Sequence, residues 1–150
     1  MQNTEAPTLK FALDPRLASD TFEIGDLGLS RALLMNDARY PWIILAPRRQ
    51  GAVELSDLTS ADRAALIEEV ARACTIVRAL PDVEKVNVGA LGNIVRQLHI
   101  HIVGRNARDL AWPGPVWGAG RSRPYQASER EALLARLKDD FRAATTSEND

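Results

Sequence analysis

The sequence predicts an α+β domain, with an antiparallel sheet of about five strands, one long packed helix and a C-terminal helix. Three observations carry that prediction. Short apolar or alternating runs of strand length recur between residues 21 and 104, separated by turn signals. A single long segment, Thr59–Leu80, repeats its apolar residues at helical spacing. A second such segment, 128–141, follows a stretch rich in Pro, Gly, Trp and Arg. No repeat, low-complexity tract or linker divides the chain, so residues 1–150 read as one domain. Its core is expected at about 9–112, with a C-terminal loop and helix over 113–144.

Taken in order, Met1–Thr8 is a polar tail. In Leu13-Asp14-Pro15-Arg16-Leu17, Asp14 can cap a helical turn that Pro15 opens. Thr21–Asp26 and Leu29–Met35 read as strands joined by a hairpin turn around Asp26-Leu27-Gly28. The second of them loses its alternation, as a strand covered on both faces would. Asn36–Pro41 is a loop, and Trp42–Ala46 a third strand closed by Pro47. Thr59 then caps the long helix, whose buried stripe should include Leu66, Val70, Cys74 and Val77. Val83–Ala90 is a fourth strand and Ile94–Gly104 a fifth. Ser128-Glu129-Arg130-Glu131 has the form of a capping box, and Leu133, Leu134, Leu137 and Phe141 give the last helix an apolar stripe. Residues 143–150 should fray.

Composition narrows the function classes. Of the 150 residues, 45% are hydrophobic and 26% charged, and the net charge is −1. Bulk attraction to nucleic acid or to an acidic membrane is therefore not expected. The single Cys74 cannot form an intrachain disulfide, fits a reducing compartment and falls on the helix's apolar stripe. No run approaches the roughly 20 apolar residues of a membrane span, and the N-terminus carries no signal-peptide pattern. Cytoplasm is the expected location.

The chemistry concentrates in Gln97-Leu98-His99-Ile100-His101-Ile102-Val103, which contains both histidines of the chain. Its polar–apolar alternation places Gln97, His99 and His101 on one face of a strand, with next-but-one residues roughly 6.5–7 Å apart. Two imidazoles so placed can address one phosphate. They can also hold two corners of a metal site, though a third ligand is lacking, or simply occupy the polar face of a half-exposed strand.

The same stretch resembles the signature of the histidine triad (HIT) superfamily, His-φ-His-φ-His-φ-φ with φ apolar, with Gln97 in the first histidine position. The order of elements from about Phe22 to Trp112 is similar too, including Asn36-Asp37 after an early strand, Asn87 before the signature and Trp112-Pro113 beyond it. The resemblance implies a HIT-like fold, a homodimer and a purine nucleotide or other nucleoside phosphate derivative as ligand, with no metal and no cofactor. It implies hydrolysis or nucleotidyl transfer at the α-phosphate, with His99 as the nucleophile that becomes nucleotidyl-histidine and His101 as a hydrogen-bond partner of the phosphoryl group. A nucleotide-binding or regulatory protein without turnover is the alternative. Gln97 would orient His99 through its backbone carbonyl, which any residue supplies. Asp37 would meet the ribose hydroxyls, and Asn87 and Asn93 would lie near the phosphate. Ile94 stands where relatives often carry Ser or Thr. Arg39, Arg96, Arg105, Arg108, Arg121 and Arg123 crowd the surrounding segments, and Trp112 and Trp117 could cover the site or stack on a base.

Overall fold

The computed structural model describes residues 10–146. The tail Met1–Thr8 and the last residues of the expected frayed end, 147–150, lie outside the described residues. Five antiparallel strands form one sheet: β1 (Thr21–Asp26), β2 (Ser30–Met35), β3 (Trp42–Pro47), β4 (Lys85–Gly89) and β5 (Ile100–Arg105), in the order β1-β2-β3-β5-β4. Helices α1 (Pro15–Asp20), α2 (Ser60–Arg78) and α3 (Ala127–Thr146) complete the fold, with a 3-10 turn at Leu55–Asp57.

The sheet is covered on both faces. Ile24, Leu34, Ile43, Leu45, Ile100 and Ile102 meet Leu66, Val70, Ala73 and Val77 of α2 and Leu137 and Phe141 of α3. Leu33, Trp42, Ile44 and Val103 point the other way, against Leu17 of α1 and Val116. Apolar side chains on both faces explain why β2 and β3 read as nearly continuous hydrophobic runs.

Several local expectations hold. Asp14 accepts the Arg16 N–H at 2.8 Å, with Pro15 in the first turn of α1. Thr59 Oγ1 accepts the Asp62 N–H at 3.1 Å and caps α2. Leu133 and Leu134 pack against the core beside Leu137 and Phe141.

Three details differ. The last helix starts at Ala127, so Ser128 already lies inside it rather than capping it. Cys74 packs against the core but is only half-buried, and the α2 stripe also takes in Glu69, whose carboxylate accepts the Leu29 N–H at 2.7 Å and the Ser30 N–H at 3.1 Å. That buried acid satisfies the end of the β1–β2 hairpin, which would otherwise present unpaired donors. Finally, the signature strand begins at Ile100 rather than Ile94, because Leu98 N–H bonds the Ala52 carbonyl at 2.9 Å and draws residues 97–98 off the strand path.

Candidate active site

His101 on β5 and His99 just ahead of it look away from α2 and α3. Both rings are buried, and their centroids lie 4.7 Å apart in an edge-on arrangement. His99 Nδ1 lies 2.7 Å from the Gln97 carbonyl oxygen. A carbonyl can only accept, so Nδ1 carries the proton, and in the neutral ring Nε2 keeps a free lone pair. Both rings border a cavity of about 690 Å³. His99 also borders a second, polar cavity of about 370 Å³, lined among others by Glu54, Ser56, Asn93 and Arg96.

His101 is constrained from several sides. Trp42 on β3 donates its indole Nε1–H to His101 Nδ1 at 3.0 Å. Trp117 packs edge-on against the His101 ring at 5.4 Å, and it can do so because β4 has glycine opposite His101: a Cβ on Gly89 would come within 2.9 Å of the Trp117 ring. His101 Nε2 is buried without a partner at full hydrogen-bond geometry, although the Leu91 carbonyl lies near enough to favour a charged ring. Burial outweighs that carbonyl and, with the neighbouring His99, pushes the His101 pKa down to about 4.

Gln97 turns away from the histidines. Its side-chain Oε1 accepts the Asp14 N–H at 2.8 Å and its Nε2 donates to the Ala12 carbonyl at 2.8 Å. Departure of the chain from strand geometry at 97–98 permits this, and the amide finds there one backbone donor and one acceptor that match it. Gln97 thus ties the segment ahead of α1 to the signature, and Arg16, Ser19 and Asp20 of α1 line the larger cavity.

Asp37 lines that cavity from the end of β2 and is 2% exposed. Its carboxylate accepts the Arg39 guanidinium at 2.7 Å, the Arg39 N–H at 3.1 Å and the Arg123 N–H at 3.3 Å. Burial opposes its ionisation, but these donors prevail and hold its pKa below the ordinary value. With Ala38 N–H donating to the Arg123 carbonyl and Tyr125 N–H to Asn36 Oδ1, the Asn36–Ala38 corner fastens the returning chain over the site.

Asn93 is exposed and borders both cavities. Asn87 does not reach them: its Oδ1 accepts from Arg105 Nη1 at 2.8 Å. Arg105 is 1% exposed, and the rest of its fork binds Asp109 at 2.7 and 3.0 Å and the Gly114 carbonyl at 2.8 Å. It holds the turn after β5 with four of its five N–H donors. Arg39 is similarly committed, to Asp37 and the Ala119 carbonyl. Arg108 and Arg121 line a separate surface depression. Trp117 reaches the histidines, whereas Trp112 is partly exposed beside Arg105.

The family model for the HIT domain matches residues 16–108, well over half of the chain. The chain belongs to the HIT family. Among solved structures, a histidine triad protein from Sinorhizobium meliloti is 44% identical, with a TM-score of 0.85 over 89% of this chain and 98% of that one. One from Bradyrhizobium japonicum is 41% identical, with a TM-score of 0.85 over 87% of this chain and 98% of that one. Plasmodium falciparum diadenosine triphosphate hydrolase is 16% identical, with a TM-score of 0.59 over 95% of this chain and 90% of that one, and shows the shared fold alone. No curated protein matches this chain. Among the described residues, no helix of this HIT protein is long and apolar enough to cross a membrane.

Trp42 is the site residue that the sequence reading missed. Its position opening a strand was evident, but its role depends on β3 lying beside β5, with Ile44 opposite His101 and Trp42 opposite Val103. Only that pairing brings the indole diagonally against the imidazole.

Proposed function

We propose that this HIT protein is a nucleotide hydrolase or nucleotidyl transferase that acts at the α-phosphate of a nucleoside phosphate derivative. The observation that carries this reading is the His99 ring, with Nδ1 held by the Gln97 carbonyl and Nε2 free beside a cavity of about 690 Å³. A neutral imidazole presenting a lone pair is a competent nucleophile towards phosphorus. Attack by Nε2 forms a nucleotidyl-histidine and expels the leaving group. Water then releases the nucleoside monophosphate, or another acceptor takes the nucleotidyl group and frees His99.

The other residues take roles around that step. His101 supplies a hydrogen bond to the phosphoryl group, and Asn93 reaches it from the mouth of the cavity. The ribose lies towards Asp37, whose carboxylate is held in place by Arg39 and the Arg123 N–H. The Gln97 side chain holds the α1 side of the pocket, while its carbonyl orients His99. Asn87 acts at a distance from the ligand, by fixing Arg105.

The protein works as a homodimer in this reading. β4 forms an edge of the sheet, and Val88 on it is 50% exposed, as is Ile67 of α2 at 60%. An uncovered strand edge with apolar neighbours favours pairing with a second copy. Light scattering at micromolar concentration should give about twice the chain mass of 16.5 kDa; a monomer would contradict it.

Activity is tested with a panel of dinucleoside polyphosphates and nucleoside phosphoramidates, followed by product analysis. Release of a nucleoside monophosphate that His99→Ala abolishes supports the proposal. Tight nucleotide binding with no turnover on the whole panel would instead favour a binding or regulatory protein.

A further inference from the structure

Trp42 determines what His101 is able to do. An indole Nε1–H only donates, so His101 Nδ1, 3.0 Å away, must be the unprotonated nitrogen and Nε2 must carry the hydrogen. A second proton on this ring would have to sit on Nδ1, where it would point directly at the indole N–H. Meanwhile Nε2–H is buried without a partner at full geometry, on a ring that borders the cavity.

We propose that Trp42 is a positioning residue that locks His101 as a neutral, permanent hydrogen-bond donor, and that the enzyme consequently favours leaving groups that depart as stable anions. The inference rests on the functional reading above for its second half only.

In such a reaction the His99 Nε2 lone pair forms the N–P bond as the bond from phosphorus to the leaving atom breaks. The leaving group takes that electron pair and later acquires a proton from water. Water then adds at phosphorus, the N–P bond breaks with its pair returning to His99, and the water's proton passes to solvent. His101 keeps its Nε2–H throughout and donates only a hydrogen bond. Without an acid to protonate it, an amine or alkoxide leaves slowly, whereas phosphate, pyrophosphate or a carboxylate leaves readily. Phosphoanhydrides and acyl phosphates of a nucleoside are therefore the favoured class, ahead of phosphoramidates and alkyl esters.

Apart from the Leu91 carbonyl, which favours a charged ring, the surroundings of His101 agree. Trp42 faces it from β3, Trp117 from the chain beyond β5, Gly89 from β4 and His99 from the residues just ahead of β5. Of these, only His99 is titratable, and its influence opposes a charge on His101. Arg39 and Asp37, further along the cavity wall, are paired with each other.

The test begins with nitrogen NMR of the histidine rings in the free wild-type protein, which needs neither substrate nor turnover. The expected result is the Nε2–H tautomer of His101, unchanged between pH 5.5 and 8. Trp42→Phe should release the ring, admit the other tautomer and move its titration up towards the ordinary histidine range. An Nδ1–H tautomer in the wild type, or a wild-type ring that protonates near pH 6.5, would overturn the lock even if Trp42→Phe does not fold. With AMP aryl esters as probes, kcat/KM should fall by roughly tenfold for each unit rise in the pKa of the departing phenol. A nearly flat dependence in the wild type would overturn the leaving-group inference. Absence of turnover on every probe would overturn both that inference and the functional reading, leaving the ring's tautomer to decide the lock by itself.

Discussion

Gln97 accepts the backbone N–H of Asp14 on its side-chain Oε1 at 2.8 Å, so the residue in the first signature position is turned towards the N-terminal segment and does not line the larger cavity. Its second bond, from Nε2 to the Ala12 carbonyl, makes the amide a clamp across residues 12–14. The contact that orients His99 runs through the Gln97 backbone and is independent of this side chain.

Replacement of the clamp should therefore spare the chemical step. Gln97→Ala is expected to lower kcat/KM by less than about tenfold, roughly 1.4 kcal/mol, and mainly through KM, because α1 and its cavity-lining Arg16, Ser19 and Asp20 lose their tether. Hydrogen exchange at the Asp14 amide should accelerate in the same variant. A fall of a hundredfold or more in kcat would place the amide at the reacting phosphate instead.

The depressed pKa of His101 has a consequence for stability. Its value of about 4 in the folded protein lies below the ordinary 6.5, so between those pH values the unfolded chain binds the additional proton. Stability should rise with pH across that window and fall on acidification through it, by up to about 3 kcal/mol. His101→Gln should flatten the denaturation profile between pH 6.5 and 4. The carboxylates held low, Asp37 and Asp109, destabilise in the same direction as they protonate, but at lower pH. An unchanged slope in the variant would show that His101 titrates normally.

Most of the architecture was legible in the chain because strand and helix periods are local properties. Thr21–Asp26 alternates, and the α2 stripe repeats at helical spacing. His99 and His101 were equally plain, as the only histidines in a distinctive pattern. What escaped notice depends on contacts between distant segments. Alternation extended to Gln97 puts its side chain beside His99, but the Leu98–Ala52 hydrogen bond takes that residue off the strand. Arg105 looked like one of several phosphate candidates, yet it is buried and bound by Asp109, Asn87 and Gly114 from three segments. Glu69 lay on the apolar side of α2 with nothing local to reveal its hydrogen bonds to Leu29 and Ser30.

Arg105 and Asp109 form a bidentate pair, 1% and 5% exposed in their side chains. Asp109→Ala would strand a buried guanidinium, at a cost of about 3–5 kcal/mol. Thermal or urea unfolding should register the full loss. Because Asn87 and the Gly114 carbonyl bind the same guanidinium, Asn87→Ala should destabilise by a smaller amount, with KM for nucleotide little changed. A rise of tenfold or more in KM in Asn87→Ala would return that side chain to the ligand.

The central claim is that His99 becomes covalently nucleotidylated. Intact-protein mass spectrometry of a rapidly quenched reaction measures it most directly, with a dinucleoside polyphosphate as substrate. The wild type should carry the added mass of one nucleoside monophosphate less water, mapping to the peptide that contains His99. His99→Ala should carry none while still binding nucleotide. Turnover by the wild type with no adduct at any quench time, or unimpaired turnover by His99→Ala, would contradict the account.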